Sequence, residues 1–137
     1  MVVVMEIKEG MYVRVNGRKS SSVKYQNCFM IDKIRHIDNS KSKYRYLVRP
    51  DKDDYCLPIS EEMIVNASFD VIDLIEPQDL MYVDISPDDC GGIVVPRVAE
   101  TMNELNYWKK LLRNGECVLK GVVTREQLCD NVFKVGE

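Results

Sequence analysis

The phrase Met-Tyr-Val occurs twice in this 137-residue chain, about half its length apart. Glu9-Gly10-Met11-Tyr12-Val13-Arg14-Val15 and Asp79-Leu80-Met81-Tyr82-Val83-Asp84-Ile85 each follow an Ile-plus-charge pair, Ile7-Lys8 and Ile75-Glu76. Alternating runs of this kind have the period of a β-strand, and a repeat at this spacing predicts two similar β modules in tandem. The expected fold is mainly β, a β-rich α+β chain. Residues 1–74 form one small SH3-like barrel module, and residues 75–137 form a second SH3-like module with one amphipathic helix near the C-terminus.

In the first module Met11 to Val15 predicts a strand stopped by Asn16-Gly17, a strong turn pair, and Ser20-Ser21-Ser22 follows as a loop. Cys28 to Ile37, Tyr44 to Arg49, Tyr55 to Leu57, and Met63 to Val65 with Val71 to Ile75 complete a set of short strands. Such strands joined by polar turns are the pattern of a small barrel. Met1 to Met5 is apolar but too short, and lacks the basic flank, for a signal peptide or a membrane span. It reads as a first strand.

In the second module Leu80 to Ile85 is an expected strand, and Ile93 to Val95 a brief one broken at Pro96. A helix is expected over about 98–113, with Val98, Met102, Leu105, Leu111 and either Trp108 or Leu112 on one face and Glu100, Glu104, Lys109, Lys110 and Arg113 on the other. Asn114-Gly115 ends it. Val118 to Val123 is then a strand. Thr124 is an N-cap with Gln127 at the capping-box position, and Val132 to Val135 is a last strand.

Composition narrows the class. With 45% apolar residues the chain can build its own core. Cys28, Cys56, Cys90, Cys117 and Cys129 are odd in number and show no close pairing, which points to free thiols in a reducing cytoplasm rather than to zinc or disulfides. No cofactor or metal is expected. The net charge of -3 hides a strong asymmetry: from Arg14 to Lys52 there are 11 Lys and Arg against 3 Asp, and from Asp53 to Glu104 there are 13 Asp and Glu against Arg97 alone.

Each charged stretch is a candidate surface. Lys19, Lys24, Lys33, Arg35, Lys41, Lys43, Arg45 and Arg49, interleaved with Tyr25, Phe29, Tyr44 and Tyr46, have the ingredients of a nucleic-acid groove, since phosphates require cations and bases stack on aromatic rings. The same alternation in Lys43-Tyr44-Arg45-Tyr46-Leu47-Val48 also arises when a strand buries one face and solvates the other. Asp53, Asp54, Glu61, Glu62, Asp84, Asp88 and Asp89 form an acidic counterpart able to compete for the basic groove of a nucleic-acid enzyme, or simply a solvated surface. Tyr107 beside Trp108 adds an aromatic pair; if Trp108 packs inward, Tyr107 lies outside, where tyrosine is a common interface anchor.

The run from Glu62 to Glu76, followed by Met81-Tyr82-Val83, resembles the joint NIIDLIEVGDYVNG of a family of small proteins of Gram-positive phages and prophages. Gly121-Val122-Val123-Thr124-Arg125-Glu126-Gln127-Leu128 is similar to that family's IVTKEQF segment, and Gly10 to Val15 to its opening strand. Gln78-Asp79-Leu80-Met81 replaces the family's Gly-Asp, and Val98 to Arg113 looks like an added helix. The resemblance implies a mobile-element origin without enzymatic activity. By association it also implies an accessory protein that binds host machinery, with inhibition of a CRISPR effector or another defence nuclease as the expected role.

Catalytic patterns are weak throughout. His36 is the only histidine, so a hydrolase would have to be centred on it. The serine run lacks a nucleophile-elbow setting. Asp51 to Glu62 has EF-hand length but Cys56 stands in place of the turn glycine, and Gly91-Gly92 lacks the rest of a phosphate loop. The reading that follows is a binding protein without enzymatic activity, aimed at a host protein through its acidic surface, or alternatively a nucleic-acid-binding module using the basic first barrel.

Overall fold

The computed structural model describes residues 6–39, 41–48, 56–88 and 92–131. The chain divides into two compact units, Met1–Leu74 and Ile75–Glu137. Each described sheet is antiparallel and helices are few, so the molecule is mainly β.

Unit 1 contains β1 (Tyr12–Asn16), β2 (Phe29–Ile37), β3 (Tyr46–Val48), β4 (Leu57–Ile59) and β5 (Ile64–Ser68) in the order β4-β3-β2-β1-β5. The first strand is therefore interior and pairs with the last. Val13 and Val15 of β1 point into a core with Ile34, Tyr46, Val48, Ile59 and Met63. Each buried aliphatic side chain there contributes about 1.5–3 kcal/mol relative to exposure. Arg14, on the other face of β1, is also buried, and its guanidinium donates to the Leu74 carbonyl at 3.2 Å.

Short 3-10 turns at Gly17–Lys19, Val23–Tyr25, Glu61–Met63 and Val71–Leu74 link or close these strands. The last corrects the strand expected at Val71 to Ile75. Ser68 Oγ donates to Asp73 Oδ2 at 2.7 Å, and Asp70 Oδ1 accepts from the Ile72 amide at 3.0 Å. These short polar side chains hold the backbone in a turn, overriding the apolar alternation of Val71 to Leu74. The strands expected at Met1 to Met5 and Val132 to Val135 lie outside the described residues, as does Tyr55 of the expected fourth strand.

Unit 2 contains β6 (Leu80–Asp84), β7 (Val94–Val98), α1 (Met102–Arg113), β8 (Val118–Val123) and α2 (Arg125–Asn131), with the sheet order β7-β6-β8. A β-turn opens it: the Asp79 amide donates to the Glu76 carbonyl at 3.2 Å, and Gln78 adopts φ 74°. The buried carboxylate of Asp79 accepts from the Glu76 amide at 2.8 Å and from the Arg125 amide at 2.9 Å, tying the turn to the start of α2. Thr124 and Gln127 make the reciprocal bonds of a capping box, at 2.9 and 3.3 Å.

The helix α1 starts at Met102, not at the expected Val98. Val98 is held in β7 opposite Leu80, and Thr101 in extended backbone accepts from the Glu104 amide at 3.2 Å. Glu104 returns a bond to the Glu100 amide at 3.0 Å. Leu105 and Leu112, two turns apart, are its buried face. Gly115 at φ 78° ends it, with the Glu116 amide reaching the Leu111 carbonyl at 3.1 Å. Pro96 lies within β7 instead of ending it, because an edge strand tolerates a residue without an N–H. Among the described residues no helix is long and apolar enough to cross a membrane.

Candidate binding sites

Unit 1 gathers cations and aromatics around the loop that joins β1 to β2. Gly17 starts it: its amide donates to the Cys28 carbonyl at 2.6 Å, and a Cβ there would collide with the Tyr25 carbonyl oxygen. That close approach folds Ser20 to Tyr25 back over the sheet. Ser20 Oγ meets Tyr44 Oη at 3.2 Å, and the Tyr25 and Tyr44 rings stack at 4.9 Å with a 23° interplanar angle. Lys24 lies over Tyr25 at 5.4 Å and Lys43 over Tyr44 at 5.1 Å. Arg18 covers Phe29 and Arg45 covers Tyr46 at similar distances.

Beside this stack an open groove of about 420 Å³ runs between Lys41 to Tyr46 and Ser60 to Glu62. Lys43 Nζ donates to Ser21 Oγ at 2.8 Å and to Glu62 Oε1 at 3.4 Å. The Ser21 amide bond at 3.3 Å, assisted by Lys43, holds the Glu62 carboxyl below the usual carboxylate range. Partial burial opposes the charge on Lys43, yet its contacts with Glu62 outweigh that and raise it above the ordinary lysine value. The Ser20 contact and the Lys43 ammonium lower the Tyr44 phenol. Tyr25, Phe29 and Tyr46 are buried, so the rings support the cations from beneath and the chemistry available is anion attraction.

Of the expected basic residues, Lys24, Lys43 and Arg45 are thus engaged with rings, and Lys41 lines the groove. Lys19 is exposed on the 3-10 turn after β1, while Lys33 and Arg35 lie on β2. Arg49 lies outside the described residues. The alternation of Lys43 to Val48 is the ordinary one, with Tyr46 and Val48 buried and Lys43 and Arg45 exposed. His36 is exposed on β2 with Nδ1 3.4 Å from Glu9 Oε1, a surface pair.

The expected acidic residues fall in both units. Glu61 and Glu62 sit on the 3-10 turn before β5, with Glu62 already paired to Lys43. Asp53, Asp54 and Asp89 lie outside the described residues. Asp84 is only 7% exposed, which corrects its expected place on an acidic surface. Its Oδ1 accepts from the Ser86 amide at 2.9 Å and the Ile93 amide at 3.1 Å, closing the hairpin loop between β6 and β7. These two bonds, helped by Lys120, hold its carboxyl below the usual range. Asp88 is exposed on that loop, and Tyr107 is 59% exposed with its ring edge-on to Trp108 at 6.1 Å.

A surface not expected from the sequence lies on unit 2. Side chains paired across an antiparallel sheet point to one face. The register therefore places Leu80 with Val98 and Val123, Tyr82 with Pro96 and Gly121, and Asp84 with Val94 and Val118 on the same face. The opposite face carries Met81 and Val83, both fully buried. Yet the first face remains open: Val94 is 52% exposed, Val98 44%, Tyr82 39% and Val118 39%. A solvated sheet face is normally polar; here the sole charged side chain in register is Asp84, whose carboxylate is already committed to the loop. The signal was present in Leu80-Met81-Tyr82-Val83, which is apolar on both faces and so calls for cover on both.

Among the described residues no three His, Cys, Asp or Glu side chains assemble as a metal site. Cys117 is buried, and that burial, with nearby Glu116, pushes its thiol up and away from reactivity. No protein-family model, curated protein or solved structure matches this chain.

Proposed function

We propose that the chain is a phage or prophage accessory protein without enzymatic activity that binds a host protein, a nucleic-acid-dependent defence nuclease such as a CRISPR effector, and blocks it. The observation that carries the binding reading is the exposed apolar face around Tyr82 on the unit 2 sheet. Contiguous apolar surface rimmed by polar residues marks an interaction site. The phage origin and the class of target rest on the family resemblance of Glu62 to Glu76 and Gly121 to Leu128. An SH3-like barrel for unit 1 is supported by the order β4-β3-β2-β1-β5, with a 3-10 turn just before the strand that returns to β1.

A tagged chain and its Tyr82→Glu variant, used as baits in a Gram-positive host lysate with and without nuclease treatment, test the reading. A stoichiometric protein that survives nuclease treatment and is lost with Tyr82→Glu is the expected result. Equal capture by both baits overturns the docking face.

A second reading has its own observation. Exposed Lys24, with Lys41 and Lys43 lining the open groove, suits the phosphate backbone of a nucleic acid. It predicts binding that falls steeply with salt and a loss of roughly tenfold or more in Lys24→Ala/Lys43→Ala. Absence of binding to single-stranded DNA and RNA at low salt eliminates it.

A further inference from the structure

We infer that the occupant of the apolar sheet face is a basic amphipathic helix of the partner protein; this rests on the protein-binding reading above and adds the chemistry of what is bound. The outer strands of a three-stranded sheet lie about 10 Å apart, which is the width of one α-helix. Strands of five residues run about 17 Å, the length of an 11-residue, three-turn helix. One helix laid along β6 would cover Val94 and Val98 on one side and Val118 and Val123 on the other, with Tyr82 beneath its middle.

The end of the face gives the charge. Where β6 leaves the sheet and β8 begins, Ile85, Ser86, Pro87, Asp88 and Glu116 line a second groove of about 260 Å³. Asp88 and Glu116 are both exposed there. Lys120 faces Asp84 at this end of the face, so their charges offset, and Arg97 pairs with Met81 on the opposite face. A cationic side chain at one end of the helix would find the two further carboxylates of Asp88 and Glu116.

The test uses the full chain, ¹⁵N-labelled, titrated with a 14-residue amphipathic peptide of Leu and Lys and with its Leu and Glu counterpart. The expected result is amide shifts confined to β6, β7 and β8 with the Leu–Lys peptide, at least tenfold weaker binding in Tyr82→Glu, and a preference reversed toward the Leu–Glu peptide in Asp88→Lys/Glu116→Lys. Tyr82→Thr, which keeps a strand-forming residue, gives the same weakening if the fold is intact. Equal binding of both peptides, shifts mapping to unit 1, or Tyr82-dependent self-association in sedimentation each overturn the helix. If neither peptide binds while Tyr82→Glu still abolishes capture of the host protein, the helix is wrong and the docking face stands. If Tyr82→Glu leaves that capture unchanged, the docking face itself is wrong.

Discussion

The two Met-Tyr-Val strands share more than their letters and differ where it matters. Strands β1 and β6 are both interior, both bury their valine completely, and both meet a partner strand with one residue extra, Val65 in β5 and Lys120 in β8. The contrast is in their neighbours. Tyr12 has Lys33 and Ser68 beside it and Arg14 has Ile31 and Asn66, whereas Tyr82 has Pro96 and Gly121 and Leu80 has Val98 and Val123. A repeated phrase specifies a strand; its neighbours decide whether the second face is covered, as at Arg14, or left open, as at Tyr82.

The largest expected effect separates the two units at glycine. Gly17→Ala drives a methyl into the Tyr25 carbonyl and should cost about 4 kcal/mol or prevent folding. Gly121→Ala places its methyl in ordinary contact, 3.8 Å from Tyr82 Cδ2, and should be neutral or slightly stabilising in urea denaturation. Similar losses for both would mean that β8 is packed as tightly as the β1–β2 loop. Next come the paired valines: Val13→Ala and Val83→Ala should each lose about 2 kcal/mol, and a loss below about 0.5 kcal/mol at either would break the equivalence of the two strands. At Gln78, φ 74° suits glycine, so Gln78→Gly should gain about 0.5–1 kcal/mol and raise the midpoint of thermal unfolding by a few degrees. An unchanged or lower midpoint would show that the Gln78 side chain compensates for the strain.

The smallest effects are in pH. Glu62 and Asp84 are held below the usual carboxylate range, so each adds stability that is complete above about pH 4 and is lost as pH falls through its lowered pKa. Lys43 is raised, so its contribution is complete below about pH 10.4 and disappears as pH rises beyond it. Unit 1 therefore loses support at both extremes through one pair, unit 2 through Asp84 at the acid end. Melting curves from pH 2 to 11 should show a shallower acid slope in Asp84→Asn and a shallower alkaline slope in Lys43→Met. Slopes identical to the parent would remove Asp84 and Lys43 from the account.

What the sequence made legible was local. Strands β1, β6 and β8 follow from alternation, and Thr124 with Gln127 from capping chemistry three residues apart. The misses came from competition between short- and long-range terms. At Val71 to Leu74 nearby Ser68, Asp70 and Asp73 overrode an apolar pattern. At Val98 pairing with Leu80 overrode helical spacing. The stack of Tyr25 on Tyr44 depends on a loop folding back at Gly17, and the inward turn of Asp84 on two amides of its own hairpin. Charge counting along the chain carries no information on direction, which is why an acidic run suggested a surface while its sheet residue was buried.

The carboxylate of Asp79 sets an order of assembly. Its partner amide at Arg125 is 46 positions later, and β6 acquires β8 only shortly before that. A ribosome delivers the chain from its N-terminus, so unit 1 has every one of its described strands once Leu74 has emerged, while the opening turn of unit 2 waits for Arg125. A nascent chain cut short before Thr124 would hold all three strands of the unit 2 sheet and yet present a carboxylate without its helix amide.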